Sequence, residues 1–209
     1  MHKRNRYFLY VWHYYAIYAV FIVFFWLLLF KFLATPQKDE RLNIFIATYQ
    51  VETVLLEQTL HKRLQQYDVK TVGVDYMAPD NGNFNYVFMT RGLIGTDIII
   101  LNKEKLPGAD YGRYFAAIDP DLLTPYLPAS ASLRYLREND IIYGITVYDP
   151  VAATGHLTEY IEYTKEDVLP EEYYLFFNKS SLNLGALDNQ ASDKALMALR
   201  VILGGETDV

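Results

Sequence analysis

Two short runs are the candidates for carboxylate chemistry: Asp119-Pro120-Asp121, with two carboxylates, and Asp80-Asn81-Gly82-Asn83, with one carboxylate and two side-chain amides. Paired carboxylates suit acid–base work or calcium coordination. Neither run has the spacing of a calcium loop with its terminal glutamate, and both match ordinary turn chemistry. An enzyme built on carboxylates alone, such as a carbohydrate-active one, would need two facing carboxyl groups about 5–10 Å apart in a cleft. The histidines are no richer. His61 falls beside Lys62 and Arg63 on the polar side of a helical pattern, and His156 follows the turn signal Thr154-Gly155. No zinc-type histidine pair, serine elbow or phosphate-binding glycine loop is present. Arg91-Gly-Leu-Ile-Gly95 lacks the strand-before-helix order and acts as a helix stop. The chain has no cysteine, which removes disulfides and thiolate metal or redox sites. Asn178-Lys-Ser180 matches a glycosylation sequon at an expected strand end. The expectation is a non-catalytic protein with no cofactor and no metal site.

Chemistry of a different kind emerges from the elements. Leu42-Asn-Ile-Phe-Ile-Ala47 has the composition of a strand. Residues 51–66 then turn helical, with Leu56, Leu60 and Leu64 on one row and Glu52, Lys62, Arg63 and Gln66 free to face water. Thr48 is a candidate N-cap. Residues 69–76 form a second strand, residues 83–93 a shorter helix, and Thr96-Asp-Ile-Ile-Ile-Leu101 a strand apolar enough for burial on both faces. Short helices are expected around 111–118 and 132–138, strands at 141–148, 156–165 and 173–178, and a closing helix at 192–203 stopped by Gly204-Gly205. The order β-α-β-α-β implies parallel strands with right-handed crossovers. The fold class is therefore α/β, a single three-layer lobe with a mostly parallel central sheet.

In such sheets ligands meet the carboxyl ends of the strands near the topological switch point. Those ends carry Thr48, Tyr49, Gln50, Asp75, Tyr76 and Asn102, with Tyr148 and Asp149 adjacent. Hydroxyls, amides and tyrosines suit a polar or sugar-like partner, although each of these residues also fits an ordinary loop or cap.

The 209 residues have a mean hydropathy of +0.01, an average that conceals two different polymers. The first 34 residues carry Lys3, Arg4, Arg6 and Lys31 and no acid, a charge of +4. The rest carries 15 basic and all 25 acidic side chains, a charge of −10. Residues 8–30 contain no formal charge and are long enough, at about 1.5 Å per residue, to cross a bilayer core. Aromatic residues crowd the first half, as at a headgroup region, and residues 19–30 are purely apolar. Three basic residues before this run predict a cytoplasmic N-terminus by the positive-inside bias. A cleaved signal peptide would have a shorter apolar core and a small-x-small site, whereas Phe32 precedes Ala34 at the −3 position. The expected organisation is a cytoplasmic basic tail at 1–7, a transmembrane signal anchor at 8–34, a linker at 35–41 and an extracytoplasmic α/β domain at 42–209. An acidic domain argues against nucleic acid as a partner.

The order of elements resembles the extracellular solute-binding proteins of ABC importers, the class II periplasmic-binding fold. Leu42-Asn-Ile-Phe-Ile-Ala47 with its following helix resembles the opening of that family, and Gly95-Thr-Asp-Ile-Ile-Ile-Leu101 is similar to its third strand. Tyr143-Gly-Ile-Thr146 is similar to the entry toward the hinge, with threonine where the family often has proline. Tyr173-Tyr-Leu-Phe-Phe-Asn-Lys179 resembles the hinge-proximal strand. Family members usually continue into a second lobe, whereas 30 residues follow Lys179 here, room for one helix and a tail. The resemblance implies one membrane-anchored lobe that binds a small polar solute or a transporter or other envelope protein. The alternative is a purely structural interaction module, with Tyr148, Tyr160 and Tyr163 as exposed contacts.

Overall fold

The computed structural model describes residues 2–34, 40–105, 110–128, 133–152 and 154–204. It divides into two compact units, Met1–Gln37 and Lys38–Val209. The expected linker at 35–41 falls largely outside the described residues.

The first unit is one helix, α1 (His2–Ala34), of 33 residues. Within it Val11–Phe32 is long and apolar enough to cross a membrane, and none of that window is buried inside the protein. Phe21, Phe25, Trp26, Phe30 and Phe32 are all more than three-fifths exposed. In water, exposing so many large apolar side chains would forfeit roughly 1.5–3 kcal/mol for each.

The second unit is built on a mixed sheet ordered β3-β1-β4-β9-β6-β5. Strands β1 (Arg41–Ile46), β3 (Thr71–Tyr76) and β4 (Ile98–Asn102) are parallel. Helix α2 (Thr53–Leu64) joins β1 to β3, and α3 (Phe84–Val87), continued by a π turn at Phe88–Gly92, joins β3 to β4. The chain therefore leaves β1 on one side and returns on the other, which puts the topological switch between β1 and β4. Strand β9 (Tyr173–Phe177) inserts antiparallel beside β4, and β6 (Ile141–Asp149) runs antiparallel to β9. Strand β5 (Tyr135–Glu138) closes that edge antiparallel to β6.

The expected mostly parallel sheet is thus corrected to a mixed one. All five residues of β9 are buried. A strand apolar on both faces carries no alternation, so its sequence does not encode its direction. A second correction concerns residues 132–138, expected as helical: Tyr135–Glu138 is the edge strand β5. The short helix expected at 111–118 shrinks to one 3₁₀ turn, Tyr111–Arg113. Of the strand expected at 156–165 only β8 (Ile161–Glu162) remains, paired with β2 (Gln50–Val51) in a separate two-stranded sheet.

Each face of the sheet is covered, because successive residues of β1 point to opposite sides. Leu42, Ile44 and Ile46 pack with Leu56, Leu60 and Leu64 of α2 and with α5 (Lys194–Ile202), whose Leu196 and Leu199 are fully buried. Phe45 and Ala47 face the other way, onto Phe84, Phe88, Phe115 and Phe176. Residues Ile98 to Leu101 of β4 are completely buried, the pattern expected of a strand covered on both sides. After α5, Gly204 takes φ +81°, a left-handed conformation that ends the helix at no side-chain cost.

One polar cluster pins the amino ends of the strands. Asp97 is buried, and its carboxylate accepts from Ser181 Oγ (2.6 Å), Asn183 Nδ2 (3.0 Å) and the backbone N–H of Asn43 (2.8 Å). These bonds join β1, the start of β4 and the segment after β9.

Candidate functional site

The carboxyl ends of β1, β3, β4 and β6 share one edge of the sheet, because Asn102 pairs with Tyr173 and Tyr148 also pairs with Tyr173. Residues 110–118 do not cover this edge. They run past the opposite one, where Phe115 bridges Asn178 and Ile118 bridges Ile142. What folds over the carboxyl edge is the chain after β6: the short strand β7 (Thr154–Gly155), a turn, and β8, which pairs with β2 just after β1.

The expected site residues separate into four groups. Thr48 and Asn102 are buried and serve the fold. Thr48 donates to the Glu162 carbonyl (2.5 Å), a tertiary bond that replaces the expected N-cap role, and Glu52 occupies the N-cap position of α2. Asn102 donates to Glu171 and accepts from the Lys105 N–H (3.1 Å). Asp75 and Tyr76 end the outer strand β3; Asp75 lines a separate cavity with Asn43, Gly73 and Arg91. Gln50 and Tyr148 line one cleft together, and Tyr148 and Asp149 line the next. Tyr49 lies under the Lys165 ammonium, 5.5 Å from its ring centroid, and Lys165 pairs with Asp80 at 2.9 Å. That pair draws the 163–172 loop toward the turn after β3.

The cleft that holds Gln50 and Tyr148 has a volume of about 360 Å³. It is lined by Gln50 and Glu52 before α2, by Tyr148 of β6, and by residues 158–164 around β8. Its wall is a stack of tyrosines. The Tyr148 and Tyr163 rings are parallel within 10° at 4.7 Å, and Tyr173 tilts against Tyr163 at 5.0 Å. Tyr163, expected as an exposed contact, is 4% exposed and donates its hydroxyl to the His156 carbonyl at 2.8 Å. Burial first, then the neighbouring tyrosines, push its phenol far above the usual range.

The neighbouring cavity, about 190 Å³, is lined by Arg134, Thr146, Asp149 and His156 among others. Arg134 bridges Asp149 and Glu172, the latter at 3.0 Å. Thr146 and Tyr174 also donate to Glu172. For Asp149, burial acts upward, but the Val151 and Ala152 N–H groups and Arg134 prevail and hold it below the usual carboxylate range. Burial pushes His156 below its ordinary value. Farther along the edge, burial and then the charge of Glu104 raise Glu171.

The sequon asparagine is spoken for. Asn178 is buried, donates Nδ2 to the Leu93 carbonyl (3.0 Å) and accepts from Ser180, so folding removes the nitrogen that a glycan would use. Asp119 accepts from the Asp121 N–H as an N-cap, and Asn81 accepts from the Asn83 N–H, in keeping with turn chemistry at both carboxylate runs. Among the described residues, no group of three or more acidic or histidine side chains could share a metal ion.

No protein-family model matches the chain, and no curated protein is a significant match to it.

Residue-by-residue reading missed the cleft's acidic lining. Glu52 falls on the polar face of the helical pattern, and no motif marks Glu159 or Glu162. The available signal was their interleaving with Tyr160 and Tyr163, two aromatic residues three apart, each preceded by a glutamate one residue earlier. Arg134 and Glu172 gave no local signal, since their pairing depends on β5 and β9 flanking β6.

Proposed function

We propose that the chain is a single-pass, N-terminally anchored membrane protein whose Lys38–Val209 unit is a non-catalytic extracytoplasmic binding domain. In this reading the unit is the counterpart of one lobe of a solute-binding protein and takes a polar solute, or a transporter or envelope partner, at the carboxyl edge of its sheet. The observation that carries the reading is the tyrosine-walled cleft at that edge, beside the strand ends where open α/β sheets recruit ligands. Two further features support it. Val11–Phe32 has the length and composition of a membrane span, and Lys3, Arg4 and Arg6 precede it. The wording that resembles the family's hinge-proximal strand falls on β9, which joins β4 to β6.

The chain has no native cysteine, so labelling of introduced ones has a clean background. An Asp167→Cys variant in intact cells should react with an impermeant maleimide, and an Asn5→Cys variant should not. The reverse pattern would sink the orientation. Thermal-shift screening of the detergent-solubilised full chain against polar solutes tests the binding role.

A structural interaction module is the second reading. Val54 and Leu55, 66% and 52% exposed in the first turn of α2, favour it because they leave two large apolar side chains uncovered shortly after Glu52. Charged substitutions there would abolish capture of a partner under this reading and spare solute binding under the first.

A further inference from the structure

The amino edge of the sheet, opposite the cleft, gathers exposed apolar and basic side chains on one surface. Three loops build it: residues 88–97 before β4, 110–115, and 178–183 after β9. Hydrogen bonds tie these loops to one another and to the start of β1. The Leu93 carbonyl accepts from Asn178 Nδ2 (3.0 Å) and the Gly95 carbonyl from Asn43 Nδ2 (2.8 Å). The Arg41 carbonyl accepts from Asn183 Nδ2 (3.0 Å), and the Tyr114 carbonyl from the Lys179 N–H (2.9 Å). This frame holds Ile94 and Leu182, 70% and 52% exposed, close to where the chain enters β1. Ile141, also exposed, opens β6 at the same edge.

Charge and chain length decide what this surface meets. The exposed charges of the three loops are Arg91, Arg113 and Lys179, against one exposed carboxylate, Asp110. Asp97, the other acid there, is buried beneath its three donors. Glu40, beside the entry to β1, pairs with Lys70 at 2.6 Å. None of the three loop cations joins an ion pair among the described residues, whereas Arg134 and Lys165 at the carboxyl edge both pair with carboxylates. Arg113 lies 5.4 Å over the Tyr114 ring, and Lys179 Nζ donates to the Gly112 carbonyl (2.8 Å), contacts that leave both charges unneutralised. Only residues 35–39 separate Ala34, the end of α1, from Glu40. Six Cα steps reach at most about 22 Å, so a bilayer crossed by Val11–Phe32 has its headgroups within reach of the entry to β1. The carboxyl edge lies a strand length, about 17–20 Å, from that entry.

We propose that the amino edge seats on anionic phospholipid headgroups of the membrane that α1 crosses. Arg91, Arg113 and Lys179 meet the phosphates, and Ile94 and Leu182 enter the interface. Basic residues near an anionic leaflet are attracted over about a Debye length, and apolar side chains gain further by leaving water. The proposal rests on the membrane-spanning role given above to Val11–Phe32 and adds a second contact with the same bilayer. It leaves the cleft at the carboxyl edge open to the aqueous side.

Full-length protein reconstituted in phosphatidylcholine vesicles, with and without phosphatidylglycerol, tests it. A fluorophore on Leu182→Cys, or on Val151→Cys at the exposed carboxyl edge, reads contact with lipids that carry a nitroxide on the headgroup. The label at 182 should be quenched strongly in anionic vesicles and weakly in neutral ones, and the label at 151 little in either. In the Leu182→Cys background, Arg91→Gln, Arg113→Gln and Lys179→Gln should each lower the ratio of docked to free domain about fivefold. Lys103→Gln, at the other edge, should dock as the parent does. Near-UV circular dichroism of the tyrosines checks that each variant is folded. Equal quenching of the two labels, or equal quenching in neutral and anionic vesicles, would overturn the proposal. Chain-brominated lipids that quench the tryptophans of α1, with the label at 182 silent, would overturn the docking and leave the span standing. Silence of tryptophans and label alike would remove both.

Discussion

Tyr148 and Tyr163 lie face to face, ring centroids 4.7 Å apart and planes within 10° of parallel, although one closes strand β6 and the other follows β8. The stack ties the returning chain to the sheet edge and gives the cleft its wall. Gly155 is required beside it: a Cβ there would stand 2.7 Å from Tyr148 Cδ2. Fold and candidate site therefore meet in these rings.

Truncating the stack separates its packing from its hydrogen bond. Tyr163→Phe keeps the ring and removes only the bond to the His156 carbonyl. It should cost about 1 kcal/mol. Tyr163→Ala opens a cavity under Tyr148 and Tyr173 and should cost roughly 3–5 kcal/mol. Thermal melting of the full chain in detergent, followed by near-UV circular dichroism, compares the two. Equal melting of Tyr163→Ala and the parent would refute the role given to the stack.

The Asp97 cluster makes a prediction with a definite pH sign. Asp97→Ala takes the acceptor from two buried side-chain donors and from the part-buried Asn43 N–H, and should destabilise the domain by about 3 kcal/mol. Burial raises the folded-state pKa of Asp97 above its ordinary 3.8, against the lowering effect of Ser181, Asn43 and Asn183. Its protonation thus adds stability that is complete below the unfolded value and is lost as pH rises through the folded one and the carboxyl ionises. Asp97→Asn removes that dependence. The stability difference, parent minus Asp97→Asn, should fall as pH is raised from 4. A difference that grows with pH would reverse the assignment.

Elements whose pattern carried both period and direction were legible in the sequence. Leu56, Leu60 and Leu64 announce α2 and are buried as a row, and the apolar run ending at Leu101 announces a strand covered on both faces. Direction was lost where both faces are apolar: Tyr173–Phe177 shows a buried strand and nothing of its antiparallel sense. Residues 132–138 misled because Leu133, Tyr135 and Leu136 fit helical and extended spacings over so short a window. Of the site, Gln50 and Tyr148 followed from the strand-end rule. Glu159 and Glu162 did not, since they reach the edge only when the chain after β6 folds back to pair with β2.

His156 should make the domain sensitive to acid. Burial lowers its folded-state pKa below the ordinary 6.5. A depressed value means that its stabilising contribution is present above pH 6.5 and is lost as pH falls through the folded value. The melting temperature of the parent should therefore drop between pH 7.5 and 5, and His156→Gln should flatten part of that drop. An unchanged slope in the variant would show that other groups set it.

Both tryptophans lie in α1, so their fluorescence reports on that helix and on nothing in the α/β unit. Trp12 and Trp26 are separated by about 21 Å along a helix rising 1.5 Å per residue. If Val11–Phe32 spans a bilayer, Trp12 lies near one interface and Trp26 lies closer to the centre. In vesicles of lipids brominated at defined depths, Trp12→Phe, which leaves Trp26, should be quenched most by deep bromines. Trp26→Phe, which leaves Trp12, should be quenched most by bromines near the headgroups. A helix lying flat in the interface would hold both rings at similar depth, because its length runs parallel to the surface. Equal depth profiles for the two variants would reject the membrane span and with it the anchored arrangement.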